Sequence, residues 1–113
     1  METTRQQKVA RLIQKDLGEI FRLMARDSFP GNLITVTKVV VAPDLTIAHV
    51  HLSLYGKTDK TELIREINTH KKMIRLQLGN RIHNQVRAIP DLDFFIDDSL
   101  DYIENIENLL RNS

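Results

Sequence analysis

The spacing of apolar residues in this chain changes from a helical period to a strand period and back, and this alternation constrains the fold most. Between Arg5 and Arg26 apolar residues recur three and four positions apart, which predicts an amphipathic helix. They are Val9, Leu12, Ile13, Leu17, Ile20 and Met24. Residues 33–42 are rich in β-branched side chains and residues 47–54 alternate, so both are predicted strands. Turn residues at 43–46 separate them and predict an antiparallel hairpin.

A second helical pattern spans residues 60–88, and its apolar stripe is interrupted at residues 70–72. We therefore expect two helices joined by a bend, the second of which is closed by Pro90 because proline cannot continue a helix. Residues 92–97 predict a third strand, and residues from 98 onward predict a last helix. Asp98 or Ser99 would cap this helix, and its apolar residues are Leu100, Ile103, Ile106 and Leu110.

This order of elements predicts an α+β domain in which helices pack on one face of a three-stranded sheet. It is also the α-β-β-α-α-β order of the type II KH domain, an RNA-binding fold, followed by a C-terminal helix. A chain of 113 residues is typical of one domain, so residues 1–113 are predicted to form a single unit.

The composition excludes several classes of protein. With no cysteine, neither a disulfide framework nor a thiolate metal site is available, and a reducing cytoplasm is the expected compartment. No signal-peptide run or bilayer-spanning run is visible, so we expect no membrane contact. The sequence has no nucleophile, phosphate-loop or metalloprotease motif, so we expect neither an enzyme nor a bound cofactor.

The net charge of +1 conceals a strong segregation of charge along the chain. Residues 1–26 carry +3 and residues 57–87 carry +5, whereas residues 88–113 carry −6. A basic body of this kind predicts a polyanion partner such as RNA. The alternative is that the charges only solvate the helices, which is common for charged runs.

Two sets of basic residues are candidate RNA contacts. On an ideal helix Lys72, Arg75, Gly79, His83 and Arg87 fall within about 120° of one another and would form a stripe that tracks phosphates. Gly79 would either let an RNA backbone approach or only permit close packing. The bend adds Lys71 to this stripe, and the first helix offers a second edge made of Arg5, Lys8, Arg11 and Lys15.

Three further groups have more than one interpretation. His49 and His51 share a strand face, but no third ligand is evident, so no metal site is predicted. The aspartates at positions 91, 93, 97, 98 and 101 are interpreted as a solubilising acidic end, with a magnesium or acid–base site as the alternative. Phe94 is expected in the core, whereas Phe95 faces the other way and is a candidate for base stacking.

Several segments, taken in order, resemble the ribosome-binding factor A family. They are RQQKVARLIQKDLGEIF, ITVTKVVVAPDLTIAHVHLS, and MIRLQLGNRI followed by RAIPDLDFFIDDSLDYIENI. The resemblance covers nearly the whole chain. It implies a type II KH-like fold that binds the 16S ribosomal RNA of the immature small subunit and aids its late maturation and processing, notably in the cold.

The chain departs from that family at the bend between the paired helices. KH domains carry a Gly-x-x-Gly loop there and the family usually an Ala-x-Gly, whereas this chain has His70-Lys71-Lys72. The expected state of the free protein is a monomer. Two alternatives stay open: a generic KH-type module for another RNA, and a protein-interaction domain whose acidic C-terminal helix binds a basic partner.

Overall fold

The computed structural model describes residues 2–97, which form three helices and one three-stranded sheet. The elements are α1 (Thr4–Asp27), β1 (Asn32–Val41), β2 (Ile47–Gly56), α2 (Lys60–Thr69), α3 (Lys71–Ile82) and β3 (Asp91–Ile96). The predicted α+β class, the order of the elements and the packing of the helices on one sheet face are confirmed. The last helix predicted after residue 98 lies outside the described residues.

α1 begins with a reciprocal cap that also ties the helix to the sheet. Thr3 Oγ1 accepts a hydrogen bond from the Gln6 amide at 3.1 Å, and the Thr3 amide donates to Gln6 Oε1 at 2.8 Å. Gln6 is buried, and its Nε2 donates to the carbonyl oxygen of Val41 at 2.8 Å. One side chain therefore caps α1 and fixes the first turn of this helix at the end of β1.

The sheet has the order β1-β2-β3, with β1 antiparallel to β2 and β3 parallel to β2. The predicted hairpin is confirmed, with a register shift at Thr37 that is typical of a β-bulge. The Thr37 hydroxyl lies 2.6 Å from Asp97 Oδ2 and 3.1 Å from the carbonyl oxygen of His51. The shift keeps the same face buried on both sides of the bulge, at Ile34, Val36, Val39 and Val41.

The second helical region is interrupted at His70, which confirms the predicted bend. The His70 ring packs edge-on against the buried Phe29 ring, with 5.5 Å between the ring centroids. Its Nδ1 also lies 2.9 Å from the carbonyl oxygen of Glu66. The ring contact ties the bend to Phe29, and the contact with Glu66 is local to α2. Together they hold the bend at the position where KH domains carry a glycine loop.

The predicted end of the second helix is wrong. α3 ends at Ile82, well before Pro90, and the intervening residues form turns and irregular backbone. The apolar residues Val86 and Ile89 continue the helical spacing of α3, but they pack on the core from this connecting segment. Spacing alone therefore extends the predicted helix too far.

The core lies between the helices and a single face of the sheet. α3 contributes Ile74, Leu78 and Ile82, all three fully buried. The predicted core position of Phe94 is confirmed by its edge-on contact with Phe21, at 5.7 Å between ring centroids. None of the helices within residues 2–97 has both the length and the apolar character needed to cross a membrane.

We expect Ile74→Ala to lower the free energy of unfolding by about 2–5 kcal/mol, because it removes a buried side chain between α3 and the sheet. The matched control is Met73→Ala, one position earlier, where the side chain is 42% exposed. That change should cost less than about 0.5 kcal/mol. Urea denaturation followed by circular dichroism measures both, and equal losses would contradict this packing.

Candidate functional site

An open groove of about 1130 Å³ lies where the first turns of α1, the turn between β1 and β2, and the segment after α3 meet. Four cationic side chains line it: Arg5, Lys8, Arg75 and Arg87. All four were among the predicted RNA contacts, and they come from both predicted sets. The fold therefore brings together basic residues that lie far apart in the sequence.

The floor of the groove is apolar. Val9, Leu45, Val86 and Ile89 line it, are half-buried, and pack against the hydrophobic core. Sequence reasoning did not assign the last three to a site. Val86 fell within the predicted helix of residues 60–88, and Ile89 lay just beyond it. The rim holds four cations and two aspartates, Asp44 and Asp91, around this apolar floor. It suits a ligand that has both anionic groups and an apolar face, as a nucleotide has in its phosphate and its base.

The turn between β1 and β2 forms one wall of the groove and is held by its own hydrogen bonds. Leu45 has a φ of +63°, a left-handed conformation that costs a residue with a side chain about 1–2 kcal/mol. Its amide donates to the carbonyl oxygen of Ala42 at 2.8 Å. Asp44 Oδ1 accepts from the Thr46 hydroxyl at 2.7 Å and from the Thr46 amide at 3.2 Å, and these bonds lower the pKa of Asp44.

Arg75 is engaged within the protein, although its side chain remains 44% exposed. Its Nη2 donates to the carbonyl oxygen of Ile89 at 2.6 Å, and its Nε donates to that of Pro90 at 3.1 Å. The same Nε lies 3.5 Å from Asp91 Oδ1. The guanidinium therefore fastens the segment after α3 to the helix, and this fixes the groove wall that carries Arg87.

Gly79, one turn after Arg75, faces the same segment. A Cβ atom at this position would stand 3.4 Å from Ile89 Cγ1, an ordinary van der Waals distance, so the packing does not require glycine. Ile89 covers this position and leaves little room for an approach of RNA backbone. The partner is the segment after α3 and not the sheet.

The remaining predicted RNA contacts lie outside the groove. Lys71 Nζ pairs with Asp93 Oδ1 at 3.3 Å, and Lys72 is exposed on the first turn of α3. His83 is the exposed C-cap of α3, so the predicted helical stripe stops there. The predicted placement of Arg87 on that helix is wrong, since it lies beyond the helix end. Two further candidates are exposed along α1: Arg11 and Lys15.

An ion-pair cluster that sequence reasoning missed joins α1 to α3. Arg81 Nη1 lies 3.0 Å from Glu19 Oε2 and 3.4 Å from Asp16 Oδ1. The hydrogen bond from Arg81 lowers the pKa of Glu19, and Glu19 in turn raises the pKa of Arg81. No local pattern points to this cluster, because its members come from two helices separated by the hairpin.

The other groups noted in the sequence have structural surroundings of their own. His49 and His51 flank the Phe95 ring, with 5.5 Å and 5.6 Å between ring centroids. Among residues 2–97 no three His, Asp or Glu side chains come together as a metal site. Asp91 and Asp93 form ion pairs with α3, as described above.

Comparison with known proteins gives consistent matches. A model of the family described as ribosome-binding factor A matches residues 5–110. Ribosome-binding factor A of Cytophaga hutchinsonii is 43% identical over 110 residues, which cover 97% of this chain and 83% of that protein.

A crystal structure and a fitted model of one relative share the fold described above. The crystal structure of ribosome-binding factor A from Thermus thermophilus has a TM-score of 0.66 at 17% identity, covering 80% of this chain and 94% of that one. A homology model of the Thermus thermophilus factor, fitted into a cryo-electron microscopy map of its complex with 30S, has a TM-score of 0.65 at 17% identity. It covers 79% of this chain and 91% of that one.

Arg75→Lys keeps the positive charge but removes the planar group that reaches two carbonyl oxygens. We expect faster amide hydrogen exchange in residues 83–90 and a stability loss of about 0.5–1.5 kcal/mol, the range of an ordinary hydrogen bond. Arg65→Lys, the same change at an exposed position of α2, is the control and should alter neither quantity. Unchanged exchange in the Arg75→Lys variant would show that this guanidinium does not hold the segment.

Proposed function

The chain belongs to the ribosome-binding factor A family, and from this premise we propose that it binds the small ribosomal subunit through its 16S ribosomal RNA. We propose that it acts on the immature subunit, aids late maturation and RNA processing, and matters most in the cold. The protein catalyses no reaction in this proposal. Its binding energy holds one conformation of the RNA, and it is released when the mature subunit no longer offers that conformation. It is a cytoplasmic monomer when free.

The observation that carries this proposal is the convergence of Arg5, Lys8 and Arg87 on one groove. Within residues 2–97 none of these three forms a salt bridge, whereas three basic residues of α3 do. Cations without a carboxylate partner are the ones that displace counterions when they meet phosphates. The fitted 30S complex of the Thermus thermophilus relative supports the same class of partner for this chain.

The position of Arg5 supports the same conclusion. Arg5 is the second residue of α1, and the first turn of this helix contains no acidic residue. A cation at a helix N-terminus is opposed by the helix dipole, at a cost of about 0.3–1 kcal/mol. The stability of α1 therefore does not account for an arginine at this position, whereas attraction to a phosphate in the groove would account for it.

The predicted contacts outside the groove extend the basic surface around it. They are Lys71, Lys72, His83, Arg11 and Lys15. We propose that these residues meet the RNA backbone at its periphery, with Lys71 contributing least because Asp93 already neutralises it. Phosphate contacts dominate, because aromatic residues are only 5% of the chain and tryptophan is absent.

Arg5→Ala combined with Lys8→Ala should weaken binding to small-subunit RNA and flatten the salt dependence of log Kd by about 1.4–1.8, the slope of two phosphate contacts. The control is Arg22→Ala combined with Arg26→Ala, which removes the same charge from exposed positions at the other end of α1. Filter binding over a salt series measures both, and thermal melts verify folding. If the two double variants weaken RNA binding equally, the groove is not a distinct RNA site and the basic surface binds RNA diffusely.

In cells, removal of this protein should slow growth in the cold and leave unprocessed small-subunit RNA. The wild-type protein should co-sediment with small subunits, which separates this proposal from a generic module for messenger RNA. Sucrose gradients and RNA end mapping provide the measurements. Normal precursor levels and normal subunit ratios in the deletion strain would contradict an assembly role.

A further inference from the structure

The sheet has a second face, which no helix covers within residues 2–97. Along β2 the buried residues alternate with residues that point to this open face, among them His49, His51 and Tyr55. Phe95 points the same way from β3, and Leu33 from β1. Phe95 is 42% exposed and Tyr55 75% exposed, so aromatic surface is presented to solvent on the face opposite the helices.

The aromatic side chains at the centre of this face form a cluster. The Phe95 ring lies 5.5 Å from the His49 ring and 5.6 Å from the His51 ring, with interplanar angles of 35° and 31°. Two imidazoles therefore support the phenylalanine from the neighbouring strand and restrict its movement. A ring held in this way on an open sheet is the arrangement on which unpaired bases stack in other RNA-binding sheets.

One cation without an ion-pair partner in residues 2–97 lies beside the cluster. Lys38 lies opposite His51 in the β1–β2 register, is exposed, and forms no salt bridge within residues 2–97. The acidic residues of β3 are already engaged: Asp91 with Arg75, and Asp93 with Lys71. Asp97, just beyond the strand, lies within hydrogen-bond distance of the Thr37 hydroxyl. A phosphate near Lys38 therefore meets an available cation on the β1 side of the cluster.

We propose that this open face is a second RNA contact, on which an unpaired base stacks against Phe95 while Lys38 receives a neighbouring phosphate. Lys38 and Phe95 lie on either side of His51, two strand spacings or about 10 Å apart, which one or two nucleotides of single-stranded RNA span. The groove would hold RNA on the helix side by charge, and the sheet would hold an unpaired stretch by stacking. This inference rests on the proposed function only for the choice of RNA as the ligand.

The absence of tryptophan makes the stacking directly measurable. A Phe95→Trp variant carries a single tryptophan, placed in the cluster and excited selectively over the two tyrosines, and a short single-stranded RNA should quench its emission. Leu23→Trp places the tryptophan at a 46% exposed position near the end of α1, beside the control residues Arg22 and Arg26, and should not be quenched. Phe95→Leu keeps the apolar character but loses the ring, so its affinity for the oligonucleotide should fall by about 5- to 150-fold, and Phe95→Trp should retain it.

The outcomes separate this proposal from the groove. If the labelled oligonucleotide binds by anisotropy but the emission of the Phe95→Trp variant does not change, the stacking proposal is overturned while groove binding stands. If that emission responds to purified small-subunit proteins and not to RNA, the face is a protein interface and the proposal is wrong. If wild-type protein binds no RNA by anisotropy at low salt, the proposed function fails as well. Melts of each variant confirm that the fold is retained.

Discussion

A three-stranded sheet of this size buries one face against helices, and the positions of the other features follow from that limit. The apolar stripes of α1 and α3, represented by Leu17 and Leu78, occupy the buried face and leave the charged sides of both helices in water. Gln6 then sets where α1 starts, because its side chain is bonded to the end of β1. The groove forms beside this start, where α1 meets the turn after β1 and the segment after α3.

Local patterns were sufficient to predict much of this fold. The helical period of α1, the β-branched run of β1 and the alternation of β2 were read correctly because each element buries one face in a regular way. The bend at His70 was also found, from the interruption of an apolar stripe. The end of α3 was predicted too late. Val86 and Ile89 keep the helical spacing, but Arg75 holds their segment as a loop. That hydrogen bonding is a tertiary contact, which spacing does not encode.

The segregation of charge along the sequence is partly cancelled in three dimensions. β3 carries part of the acidic stretch and lies beside basic α3, so Asp93 neutralises Lys71 and Asp91 lies against Arg75. A count of charges along the sequence therefore overstates the cationic surface of α3 and understates the contribution of α1 to the cationic surface. The candidate site was predicted at the level of residue types, and four of the predicted basic residues line one groove. Their grouping around an apolar floor depended on contacts between distant segments.

Stability and binding compete at the helix starts. α3 begins with Lys71 and Lys72 and has no side-chain cap, and α1 has Arg5 in its first turn. Each uncompensated cation there interacts unfavourably with the helix dipole, which lowers stability by about 0.3–1 kcal/mol. The total stability of such a domain is on the order of 5–15 kcal/mol. Asp93 compensates Lys71. A bound phosphate would compensate Arg5 in the same way, so groove occupancy and the stability of the first turn of α1 are thermodynamically linked.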